Sequence, residues 1–217
     1  MLATGLDLLN QIQQKKLNAY LLAWPDTGAQ FNFYFKSQPK VGADGMPDFT
    51  GVKVRGAPAY RELIGGLNGT FVNIAGPEVY TALERGTVDG FAWPAVGVMD
   101  FGWEKFVKYK LRPDFFNLDI VINVNLDTWQ KLSQASRDFL TKTGIAWEKE
   151  SYDFWTKQAA TEAEELKKRG VQDFQLATDA GKKFVSYTAE SVWARMKGRD
   201  PANYDAIRSR FYKAPGS

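Results

Sequence analysis

The chain contains no cysteine and no histidine. The first absence excludes disulfides and thiolate metal sites and leaves the compartment open, since cytosolic and bacterial periplasmic proteins both manage without cysteine. The second removes histidine triads, imidazole metal ligands and the commonest general base together, which weighs against catalysis. No run approaches the ~20 apolar residues of a membrane helix. The opening MLATGLDLLNQIQQKK lacks a basic start, an apolar run and a small-residue cleavage site, so it does not read as a signal peptide. Its Leu6, Leu9 and Ile12 fall at helical spacing and read as core. No excess of one charge is present either: 28 basic and 25 acidic residues give +3, interleaved along the chain, so a nucleic-acid partner is not expected. There is no GxxxxGK[ST] run, and no cofactor or metal site is expected. What is present is ordinary globular composition: 217 residues, 44% hydrophobic and 24% charged, enough for one large core or two small ones.

The most informative stretch runs from Gly76 to Pro94, GPEVYTALERGTVDGFAWP. Gly76 is a permissive N-cap, Pro77 suits a first helical turn, Val79, Tyr80 and Leu83 share a face, and Gly86 closes the helix as its left-handed residue. A strand over 87–93 follows, and Pro94 is expected to open another helix through Phe106. Upstream, 52–55 reads as a strand, 58–65 as a helix and 70–74 as a strand. This β-α-β-α-β order favours a parallel sheet with right-handed crossovers, in which ligands sit beyond the carboxyl ends of the strands. Those ends carry Arg55, the turn at Ile74 to Gly76, and Phe91 with Trp93. A guanidinium, a helix start and two aromatic rings suit a small organic anion.

The runs Gly51-Val52-Lys53-Val54-Arg55, Glu78-Val79-Tyr80-Thr81-Ala82-Leu83-Glu84-Arg85-Gly86-Thr87-Val88-Asp89-Gly90 and Leu126-Asp127-Thr128-Trp129 resemble the DctP-type solute-binding proteins of TRAP transporters, and the similarity extends over nearly the whole chain. The resemblance implies a periplasmic-binding-protein-like α/β fold of two lobes. They close on a solute, usually an organic acid, and deliver it to a membrane permease in the periplasm. Arg55 falls on the family's carboxylate-binding arginine. Trp93 stands where many members carry a polar residue such as asparagine, which implies a more apolar or stacked solute. The family pattern begins before residue 1, so the resemblance implies that a signal peptide and most of the first lobe are missing and that Met1 is a truncated start. On that basis residues 1–24 with 124–160 are the remnant of the first lobe and a lobe-spanning helix. Residues 25–123 with 161–217 are the second lobe, a mostly parallel sheet flanked by helices.

Elsewhere, 17–24 has the apolarity of a buried strand. In 30–35, Phe31, Phe33 and Phe35 share one face and read as core, while Asn32 and Tyr34 share the other. That second face looks either into a cleft or out from an edge strand. The glycine-, proline- and aspartate-rich run 37–50 reads as a surface loop. Residues 109–116 form a strand-like connection, and 119–124 a strand. Asp119, placed by the resemblance beside the cleft, has three candidate roles: hydrogen bonding to the solute, holding a cation alongside a bound acid, or structural capping and pairing with Arg112. Ser133 or Asp127 caps a long helix to Arg169, with 171–176 an edge strand beyond it. Thr178 caps a further helix, and Asp200-Pro201 starts the last. With most of the first lobe missing, Phe139, Ile145 and Trp147 are expected to form an exposed apolar patch open to homodimerisation.

Three functional classes remain open: a transport-linked solute-binding protein, a histidine-free α/β enzyme using Glu78 or Asp89, and a fragment that folds or dimerises without binding solute.

Overall fold

The computed structural model describes residues 3–212, so the expectation attached to Met1 lies outside the described residues. In chain order the elements are α1 (Ala3–Leu17), β1 (Ala19–Ala23), β2 (Phe31–Phe35), β3 (Lys40–Val41), β4 (Pro47–Asp48), β5 (Lys53–Arg55), α2 (Arg61–Gly66), β6 (Thr70–Val72), α3 (Val79–Glu84), β7 (Gly90–Pro94), β8 (Tyr109–Arg112), β9 (Ile122–Asn125), α4 (Leu126–Lys131), α5 (Gln134–Lys168), β10 (Gln172–Gln175), α6 (Thr178–Arg199) and α7 (Pro201–Phe211). Six strands form the main sheet in the order β10-β8-β2-β7-β5-β6. β5 runs parallel to both β6 and β7, and β10 runs parallel to β8, while β2 is antiparallel to its neighbours β7 and β8. The sheet is therefore mostly parallel, with one reversed strand inside it. β1 and β9 pair separately as an antiparallel ribbon beside α1 and α5.

The position of β2 overturns the edge-strand reading of Asn32 and Tyr34. Both side chains are fully buried, because helices and loops cover the two faces of this interior strand. One face packs Phe33 and Phe35 with Phe49, Val54, Leu63, Ile64 and Phe184; the other packs Tyr34 with Val79, Leu83, Phe91, Trp103 and Leu166. Burying a phenylalanine contributes about 1.5–3 kcal/mol, so the paired Phe and Tyr alternation makes β2 the hinge of both cores.

Gly90 fits this arrangement for a steric reason. It sits opposite Phe35, and a Cβ there would stand 2.4 Å from the Tyr34 carbonyl oxygen. The carboxylate of the neighbouring Asp89 accepts the Lys53 backbone N–H at 2.8 Å, fixing the entrance of β5.

Several local expectations need correction. Residues 95–106 hold turns and one 3-10 turn at Trp103–Lys105 instead of a helix, with Pro94 ending β7. Gly97 (φ +92°) and Gly102 (φ +68°) adopt left-handed backbone, and the Gly97 and Met99 amides are taken by a side chain rather than by helical carbonyls. The run 37–50 contains the β3–β4 pair and buries Met46 and Phe49, so it is part of the core covering. The strand placed at 119–124 is confined to Ile122–Asn125. Ser133 caps the long α5 as expected, while the short α4 before it is capped by Asn125 and not by Asp127. Ala177, without a side-chain bond, stands at the start of α6 in place of Thr178. β10 is an edge strand as expected.

Candidate functional site

The carboxyl ends of β5 and β7 and the amino end of β2 lie at one rim of the sheet, as their registers require. Arg55 pairs across the parallel ladder with Phe91, so Trp93, two residues on, points to the same face one pleat nearer the rim. The guanidinium Cζ lies 5.0 Å from the centroid of the Trp93 ring. Its Nε donates to the Ile74 carbonyl at 2.9 Å and its Nη1 to the Ala92 carbonyl at 3.5 Å. Arg55 is only 7% exposed, and among the described residues no carboxylate pairs with it. Burial pulls its pKa down from the ordinary arginine value. A buried cation held only by carbonyl dipoles and a ring face retains donors for an incoming anion, and an arginine fork matches a carboxylate through two parallel bonds.

Trp93 is partly buried and fixed on its far side, edge-on to Trp103 (4.8 Å between ring centroids) and Phe101 (5.7 Å). Gly76 lies beside the indole: a Cβ there would meet its Cη2 at 3.6 Å, an ordinary packing distance. The helix start expected at Gly76 is a single 3-10 turn, Gly76–Glu78, running into the six-residue α3, so it adds little dipole to the site.

Phe91 and Tyr34 belong to the core. Their rings stack with centroids 5.0 Å apart and neither is accessible; burial pushes the Tyr34 hydroxyl well above its usual pKa. Asn32 turns inward to donate to Asp114 and accepts weakly from the Tyr34 hydroxyl at 3.4 Å. Three residues expected at the cleft thus sit beneath it, because the reversed strand carrying two of them is covered on both faces.

Asp119 lies on an exposed segment and lines a cleft of about 580 Å³ with Phe31, Tyr60, Phe116, Val192 and Trp193. Desolvation against this wall raises its carboxyl pKa. It does not pair with Arg112, which binds Asp114 instead. Tyr60 connects the two parts of the rim: burial raises its hydroxyl pKa, the Asp119 charge adds to that, and the Arg55 charge opposes it.

Sequence reasoning did not pick out Tyr60, Asp114 or Glu162. Tyr60 follows Arg55 in the Gly56-Ala57-Pro58 turn, and that proximity was its only signal. Among the described residues no group of three or more acidic side chains could hold a metal ion, and no helix is long and apolar enough to cross a membrane.

A mostly parallel sheet with an unneutralised guanidinium and an indole at its carboxyl rim defines a small-molecule binding fold. Residues 3–199 match the family described as bacterial extracellular solute-binding protein, family 7 (DctP), and the chain belongs to that family. A monocarboxylate 2-oxoacid-binding periplasmic protein from Nostoc is 28% identical over 145 residues, 62% of this chain and 38% of that protein. The fold superimposes with a TM-score of 0.80 on a TRAP periplasmic solute-binding protein from Desulfovibrio salexigens with bound orotic acid, at 18% identity, covering 96% of this chain and 65% of that one. An apo open TRAP solute-binding protein from Marinobacter aquaeolei gives a TM-score of 0.83 at 14% identity, covering 96% and 68%. The chain therefore spans about two thirds of these solved chains and 38% of the Nostoc protein.

Proposed function

We propose that the chain is the solute-binding part of a TRAP-type transporter. In this reading it takes a small organic acid in the periplasm and presents it to a membrane permease, leaving it chemically unchanged. Arg55 grips the carboxylate and Trp93 packs on the carbon skeleton. Asp119, across Tyr60, accepts a hydrogen bond from the far end of the solute. The observation carrying this reading is the buried guanidinium with no carboxylate partner among the described residues. The 2-oxoacid named for the Nostoc relative and the orotic acid in the Desulfovibrio protein support the acid class. We assign residues 25–123 with 161–217 to the solute-binding lobe, and residues 1–24 with 124–160 to the remnant of the other lobe and its spanning helix.

Calorimetry with pyruvate, orotate and a panel of other small carboxylates tests the site. An acid at a hundred times its dissociation constant adds about 2.7 kcal/mol to stability, which thermal melting also reads. Arg55→Ala is expected to abolish that response; a response surviving the substitution removes Arg55 from the role.

A specific observation also favours self-association. Phe139, Ile145 and Trp147 on α5 are 68%, 62% and 51% exposed. They are spread around the helix, and a second copy of the chain is proposed to cover part of them. Sedimentation showing a monomer at every concentration would end that part of the reading.

A further inference from the structure

The peptide amides that follow β7 form an anion-binding turn, and the chain fills it with its own carboxylate. Gly97 takes left-handed backbone (φ +92°), which turns neighbouring N–H groups toward one point. The Gly97 N–H donates to Oε2 of Glu162 at 2.6 Å and the Met99 N–H to Oε1 at 2.9 Å. Glu162 stands on α5, half-buried, more than sixty residues away in the chain.

The same turn holds the indole of the solute site. A Cβ at Gly97 would lie 3.3 Å from Nε1 of Trp93, so the turn runs close beside the ring edge with no room for a larger side chain. Phe101 and Trp103, which fix the ring from the side, come from the same segment. The Arg55 guanidinium lies against the face of the same indole.

We propose that Glu162 is a positioning residue of the solute site: by occupying the Gly97 and Met99 amides it fixes the turn that holds Trp93 over Arg55, without touching solute itself. The inference rests on the reading of Arg55 and Trp93 as that site. The chemistry requires a carboxylate, because each oxygen accepts from a different amide. Glutamine at this place offers one acceptor and turns an NH₂ donor against the other N–H. Burial pushes the Glu162 pKa upward, the amide bonds oppose it, and Asp100 on the turn adds to the rise. From the sheet, Lys110 on β8 and Tyr34 on β2 are near enough that the Glu162 charge acts on both.

The test follows the exciton band of the Trp93–Trp103 pair in circular dichroism, defined as the difference between wild type and Trp93→Phe, alongside calorimetry with pyruvate and orotate. Glu162→Gln is expected to lose at least about half of that band and to weaken the acid that wild type binds by about tenfold, one lost charged hydrogen bond. Glu162→Asp should recover part of both. In wild type the band should fade as Glu162 is protonated, at a pH above the ordinary glutamate value, with the helical signal unchanged. A band unaltered in Glu162→Gln, or flat in wild type across the acid range, overturns the proposal. A band lost in Glu162→Gln while neither acid binds wild type overturns the solute reading instead.

Discussion

Two arginines reach the same end of the sheet and meet different surroundings. Arg112, the last residue of β8, pairs with Asp114, whose carboxylate also takes the Asn32 amide, and its side chain is 33% exposed. Arg55, the last residue of β5, is more deeply buried and meets carbonyl oxygens and an indole. Leaving a buried charge without an opposite charge costs several kcal/mol of desolvation that a local acid would offset. Arg112 therefore serves the fold. Arg55 retains an unmet attraction that a ligand can satisfy.

The sharpest test of this contrast keeps the charge and removes the fork. Arg55→Lys should weaken acid binding by at least about thirtyfold, since a lysine cannot make the two parallel bonds. Calorimetry that finds an affinity within threefold of wild type would erase the distinction. Next in size is Arg112→Ala, which leaves Asp114 without its cation. Urea unfolding should show a loss of about 1–2 kcal/mol, with acid affinity changed by less than about threefold. An affinity loss equal to that of Arg55→Lys would place both guanidiniums in one site. The smallest effect concerns Asp119. Its raised pKa means that the folded state binds more protons than the unfolded chain between the ordinary carboxylate value and the raised one, so its contribution to stability falls as pH rises through that interval. Asp119→Asn should therefore raise the melting temperature slightly at neutral pH and leave it unchanged below about pH 4. A lower melting temperature at neutral pH would show that the carboxylate has a stabilising partner.

The strand–helix alternation from Val52 to Pro94 was legible because short apolar runs there are punctuated by glycine and proline, and the placement of Arg55 beside Trp93 follows from parallel register alone. Three things were not legible. Alternation shows which residues of β2 share a face, yet nothing local shows that both faces are covered, so the sequence leaves Asn32 and Tyr34 between a cleft and an edge-strand surface. The mixed run 95–106 reads as helix because proline suits a first helical turn, but Pro94 stands instead at the end of β7. Glu162 lies on the longest helix among charges that resemble any solvated face. Its partners are two backbone amides more than sixty residues upstream, and backbone donors leave no mark in the residue pattern.

The strand order has a consequence for biosynthesis. Five of the six strands come from one stretch, 31–112, whereas β10 arrives only after the long α5 has been made. Until β10 pairs, the outer side of β8 keeps unpaired amides and carbonyls. An exposed strand of this kind recruits other chains. Docking of Gln172–Gln175 on Tyr109–Arg112 is then the step that closes this side of the sheet to other chains.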